Sequence, residues 1–163
     1  MMLQRPPSRI PQSWLSSPTL GALMNVCDEN YLLVHRLAPD LPNLRGSLVT
    51  PGEAGIELCL EVMEQTKFTS LIQLTYLLAL EQGPRRAPDA VMRVYHDSRQ
   101  VEVLDIRDGS GGQISAQTVP TLDHKWKANL FLSKWLAYCL RQGHRFAAER
   151  SVCEPGRPIE TTT

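Results

Sequence analysis

The sequence predicts an α+β fold: an antiparallel β-meander of four to six strands with an N-terminal and a C-terminal helix packed on one face. Three observations carry this. Apolar residues recur at spacings of three and four near each end of the chain. Between those stretches the period falls to two, with one wet face. Two striped helices and a sheet with an apolar face satisfy one another when the helices cover one side of the sheet. With 163 residues, the chain has the length of one domain and can bury a substantial core without staples.

Residues 1–16, rich in Pro and Ser, read as a disordered leader. Residues 17–146 read as a single α+β domain and 147–163 as a flexible tail. Ser17 offers an N-cap with Pro18 at the first helical position, where a missing N–H costs nothing. Leu20, Leu23, Met24, Cys27, Tyr31 and Val34 form the apolar stripe of that helix, and Pro39 bars its continuation. SLVT at 47–50 reads as a short edge strand. Ile56, Leu58, Leu60 and Val62 then point inward while Glu57, Cys59 and Glu61 face solvent. A second strand spans about 69–79, and EQGPRRAPDA reads as a linker. VMRVYHD and QVEVLDI flank Ser98 and Arg99 as a hairpin, which places Tyr95 opposite Glu102 with Arg93 diagonal to it. DGSGG ends this hairpin, and QISAQT at 113–118 adds a weak last strand. Asp123 reads as N-cap of the final helix and Gly143 as its left-handed C′ residue. Phe131, Trp135, Ala128, Cys139, Leu132 and Leu136 share an arc of that helix, which Trp126 and Leu140 extend.

Composition bounds the function. Lys plus Arg and Asp plus Glu are both 17, for a formal net charge of zero. A collagen-like, wholly disordered or grossly basic nucleic-acid-binding chain is excluded. Cys27, Cys59, Cys139 and Cys153 are widely spaced with no CxxC pair, as in the reduced core of a cytosolic protein. His35, His96, His124 and His144 are equally scattered, so no metal site is expected. No cofactor motif is present: DGSGG follows a strand but lacks the helix and lysine of a phosphate loop. The longest apolar run, LTYLLAL, has seven residues, against about 20 for a membrane span.

Polar residues collect at two places. On the hairpin, Arg93, Tyr95 and Glu102 share a face, Arg93 as a candidate anion clamp and Glu102 as a candidate base. The bland reading is a weak cross-strand ion pair. His96 lies on the other face with Val94 and Val101, as a turn or surface histidine. It diverges from Asp97, and no GxSxG elbow supplies a nucleophile. At the entry to the last helix, Lys125 and Asn129 project from the apolar side, where burial demands partners. An anion at the helix N-terminus is one such partner. The alternative is an outward-reaching Lys125 and an Asn129 that ties down a loop. Lys127, Lys134 and Arg141 form a basic stripe, and residues 123–163 carry 7 basic against 4 acidic groups. That is the ordinary density of a solvated helix face, so nucleic acid is not the expected partner.

MRVYHDSRQVEV, DHKWKANLFLSKWLAYCLRQG and LMNVCDENYLLVHRLAP together resemble the YqiB-like family of small proteobacterial proteins, over roughly residues 20–146. The matching positions include Cys27, Asn30, Arg93, Tyr95, His96, Asp97, Glu102, Asp123, Lys125, Asn129, Trp135, Tyr138 and Cys139. The resemblance implies a cytosolic bacterial protein. It is a family of unknown function, so no catalytic residue carries over. The residues therefore lead to a non-catalytic cytoplasmic binding or regulatory module, whose partner is a protein or a small anionic ligand. The alternative is a small enzyme or nucleotide- or anion-binding protein. Its site would join the 93–102 hairpin to the start of the last helix, through Arg93, Tyr95, His96, Glu102, Lys125 and Asn129.

Overall fold

A computed structural model describes residues 19–52, 56–81, 83–107 and 121–147. The expected leader, the strand at 113–118 and the tail beyond residue 147 lie outside them. The order is helix α1 (Leu20–Leu37), a 3-10 turn (Leu41–Asn43), strands β1 (Gly46–Pro51), β2 (Glu57–Gln65), β3 (Thr69–Leu80), β4 (Gly83–Tyr95) and β5 (Gln100–Arg107), and helix α2 (Leu122–Arg141). The strands pair antiparallel in chain order as one meander. The core joins Leu48, Leu58, Leu60, Ile72, Leu74, Met92 and Val101 of one sheet face to Val34 and Leu37 of α1 and Leu132, Trp135 and Leu136 of α2. Both helices therefore cover that face, and the α+β class stands.

Several local readings change. The α1 cap is Thr19, not Ser17: its Oγ1 accepts from the Ala22 N–H at 3.0 Å. The buried stripe of α1 is Leu23, Val26, Asn30, Val34 and Leu37, turned one residue from the expected one. Leu20 and Met24 are exposed. Asn30, a polar residue, lies at the centre of the packed face. Its Nδ2 donates to the Asn129 carbonyl at 3.0 Å.

The outer sheet face is not uniformly wet. Val49, Cys59 and Thr75 lie in one cross-strand row and are buried. Asp89 closes that row, accepting from Gln73 Nε2 at 2.8 Å and Thr75 Oγ1 at 2.9 Å. The stretch read as a linker is instead the first half of β4, so β3 and β4 form a long hairpin. Its prolines are accommodated because Pro84 lies near the strand end and Pro88 falls where the register shifts between Thr75 and Leu77, so neither interrupts a regular ladder.

The β4–β5 turn has four residues, His96 to Arg99, with Arg99 at φ 58°. The longer turn places Tyr95 opposite Gln100 and Arg93 directly opposite Glu102, rather than Tyr95 opposite Glu102. In α2 the cap is Thr121, whose Oγ1 accepts from the His124 N–H at 3.2 Å. Asp123 sits in the first turn instead. At the other end Gly143 takes φ 84° as expected. Its N–H donates to Leu140 O at 3.1 Å and that of His144 to Cys139 O at 3.2 Å, a Schellman ending. The chain then tucks back into the protein: the Phe146 N–H donates to Leu37 O at 2.7 Å and its ring is fully buried.

Candidate functional site

The six residues singled out from sequence separate into three environments. Arg93 and Tyr95 lie on the outer sheet face, away from the helices. Glu102 also starts from that face, and Lys125 Nζ approaches its carboxylate to 3.8 Å, with both side chains partly exposed. Asn129 is 1% exposed and is a structural hub. Its Oδ1 accepts from the Val103 N–H at 3.3 Å, and its Nδ2 donates to Lys125 O at 2.8 Å. Val103 is on β5, the last strand among the described residues, and Asn129 gives its N–H an acceptor. The Cys27 thiol points at the same oxygen from 3.9 Å. Burial pushes that thiol up to about 11, Glu102 and Asp28 push the same way, and Lys125 opposes them. It is a protonated donor rather than a nucleophile. On the basic stripe, Lys127 pairs with Asp123 at 3.1 Å.

His96 belongs elsewhere. It opens the β4–β5 turn on the helix-covered side and lines a cleft of about 130 Å³ with Tyr31, Val34, His35, Ala38, Pro39, Leu41, Pro42 and Val94. The walls are the C-terminal half of α1, the 3-10 turn and the hairpin. Gln100 Nε2 donates to Asp28 Oδ1 at 3.0 Å and the Arg99 guanidinium lies 5.3 Å from the Tyr31 ring centre. These contacts hold the hairpin against α1. Tyr31 and His35 stack nearly parallel, at 11°, one helical turn apart.

Behind His96 stands a hydrogen-bond chain. Gln65 Nε2 donates to Leu41 O at 2.8 Å and Leu44 O at 3.1 Å. Its Oε1 accepts from the Ser70 hydroxyl, and Ser70 Oγ lies 2.7 Å from His96 Nε2. Burial lowers the His96 pKa, against the nearby Asp97 carboxylate. A Ser–His contact of this length suits an activated nucleophile only where the imidazole accepts the hydroxyl proton, and here that proton goes to Gln65 Oε1. Ser70 is also 0% exposed, and its hydroxyl bridges Gln65 and the imidazole.

Gln65, Ser70, Tyr31 and His35 were not among the candidate site residues read from the sequence. One signal was present: alternation along TSLIQLTYLLA places Ser70 on the same face as Ile72 and Leu74, a polar group on a core face that needs a partner. Gln65 gave no such signal, because its partners are carbonyls of a distant turn.

Among the described residues no three His, Cys, Asp or Glu side chains are grouped to hold a metal ion. No helix there is long and apolar enough to cross a membrane.

Fold and cleft define a small α+β protein with two helices over an antiparallel meander. The model of the family described as "Protein of unknown function (DUF1249)" matches residues 33–145, and the chain belongs to that family. It is 28% identical to "Uncharacterized protein YqiB" of Escherichia coli strain K12 over 133 residues, covering 78% of this chain and 92% of the relative. The proteins of that name from strains O6:H1 and O157:H7 match to the same extent. No solved structure matches.

Proposed function

We propose that this protein is a non-catalytic binding module of the bacterial cytoplasm, and that the cleft between α1 and the β4–β5 hairpin receives its ligand. One observation carries the reading: a chain of three side chains, Gln65 and Ser70 on neighbouring strands and His96 in the turn, holds the imidazole of His96 at the cleft. A buried polar chain spends desolvation and ordering, and concave sites with a few oriented polar groups are where ligands bind. The buried Ser70 and the raised pKa of the Cys27 thiol support the non-catalytic side of this reading. The unbridged thiols Cys27 and Cys139 support a reducing compartment.

The other reading, a small enzyme or nucleotide- or anion-binding protein with its site between the 93–102 hairpin and the start of α2, has the partly exposed Lys125 in its favour. Against it, the nearest charge to that ammonium is Glu102 and the Asn129 amide is spent on the protein.

A thermal-shift and amide-NMR screen of small rings, nucleotides and inorganic anions separates the two. The cleft reading expects ring compounds to move the amides of Tyr31, His35, Val94 and His96. Saturation at 100 times the dissociation constant raises stability by about 2.7 kcal/mol. Shifts confined to Lys125 and its neighbours, produced by anions alone, would transfer the site to the start of α2.

A further inference from the structure

The hydrogen-bond chain has a direction, and the direction fixes the chemistry offered at its end. Gln65 donates through Nε2 to two backbone carbonyls, so Oε1 is the atom turned to Ser70. An amide oxygen only accepts, and the Ser70 proton is therefore committed to it. The Ser70 oxygen has only lone pairs left for His96, which makes Nε2 the protonated nitrogen. In the neutral ring Nδ1 then carries a lone pair. No protein group among the described residues takes that lone pair, and Nδ1 is not a sealed-off buried atom. Burial lowers the pKa of the ring and so favours its neutral form.

The other cleft walls that the imidazole of His96 joins are largely apolar. Val34, Ala38, Leu41 and Val94 face the space, with the Tyr31–His35 pair on one side. The volume of about 130 Å³ is close to that of cavities of about 150 Å³ that take one benzene ring.

We propose that the cleft binds a single planar ring bearing one hydroxyl or ring N–H donor, of the phenol type, which donates to Nδ1 of His96. The inference rests on the cleft being the binding site and adds what it selects. The ring is either a free phenolic small molecule or a tyrosine side chain presented by a peptide, since both offer the same donor.

The test uses the full chain, followed by amide spectra and by the ring-nitrogen signals of His96, with phenol, anisole and N-acetyltyrosinamide as probes. Phenol is expected to bind about tenfold more tightly than anisole, whose oxygen cannot donate. The Nδ1 signal is expected to shift with phenol only. His96→Gln keeps a donor for Ser70 but has no acceptor at the Nδ1 position, and is expected to bring phenol down to the affinity of anisole. N-acetyltyrosinamide binding as well as phenol identifies a peptide side chain as the natural form, and its exclusion identifies a free phenol. Equal affinity of phenol and anisole for the wild type, with shifts at the cleft, overturns the donor selection and leaves the cleft as a binding site. No shift at the cleft with any of these probes or with the wider screen overturns both. The wild-type comparison decides the matter even if His96→Gln does not fold.

Discussion

Asn129 shows how far one polar residue on a helix can be read. Its position on the apolar side of the wheel signals buried partners, but not which ones. The structure assigns its side chain to the Val103 N–H and the Lys125 carbonyl. Asn129→Ala leaves the Val103 N–H without its acceptor beside a packed helix, and an unmet buried group costs about 1–3 kcal/mol. Urea denaturation is expected to show that loss. Lys125→Ala, which removes only a partly exposed pair at 3.8 Å, is expected to change stability by at most about 1 kcal/mol. Similar losses in both variants would mean that Lys125 is structural too. Trp135 is simpler: it is buried, with its ring edge-on to Tyr76 at 5.6 Å between centres. Trp135→Ala is expected to cost about 3–5 kcal/mol, and an unchanged urea midpoint would contradict its place in the core. That residue was legible because an aromatic inside an apolar arc has one reading. Asn30 was not, because composition scores it as solvent-facing while its partner is a helix carbonyl 99 residues away.

At the scale of elements, existence was legible and edges were not. Both helices and the period-two strands emerge from apolar spacing alone, since that spacing decides which face can be buried. Caps are contests between neighbours: Ser17, Thr19, Thr121 and Asp123 all have oxygens able to cap. What chooses among them is where the packed face must begin. Thr121→Ala is expected to cost about 0.5–2 kcal/mol as loss of a true cap. Asp123→Ala removes a first-turn charge worth about 0.3–1 kcal/mol. Thermal unfolding of the two variants in low and high salt distinguishes them, because only the Asp123 effect is screened. A larger loss at Asp123 than at Thr121 would restore the sequence-based cap. The misread linker has a different cause: two prolines within ten residues argue against a strand, yet both fall where the ladder ends or shifts. The hairpin register failed for want of turn length, since a two-residue and a four-residue turn both fit Ser98 and Arg99.

Across the whole molecule, the segment after α2 closes the fold. A side chain at Gly52 would meet the His144 ring at 2.5 Å, the Arg145 N–H reaches Thr50 Oγ1 at 3.5 Å, and Phe146 is held against the end of α1. This short stretch therefore joins β1, α1 and α2, and it places a histidine among Tyr76 and its neighbours. The Tyr76 and His144 rings are 5.5 Å apart. Burial lowers the pKa of His144 below its ordinary 6.5, against the bond to the Thr50 backbone, and burial likewise lowers that of His96. With both folded-state values below the unfolded one, the unfolded chain binds more protons between them. Stability from these two groups is thus fully present above about pH 6.5 and is lost as the pH falls through that value toward the folded pKa. The urea midpoint is expected to decline on going from about pH 7.5 to about pH 5.5. In His96→Gln combined with His144→Gln the absolute stability is lower, but that decline is expected to flatten, because neither replacement titrates. A decline of the same steepness in the double variant would place the acid sensitivity in other groups and remove the two histidines from its cause.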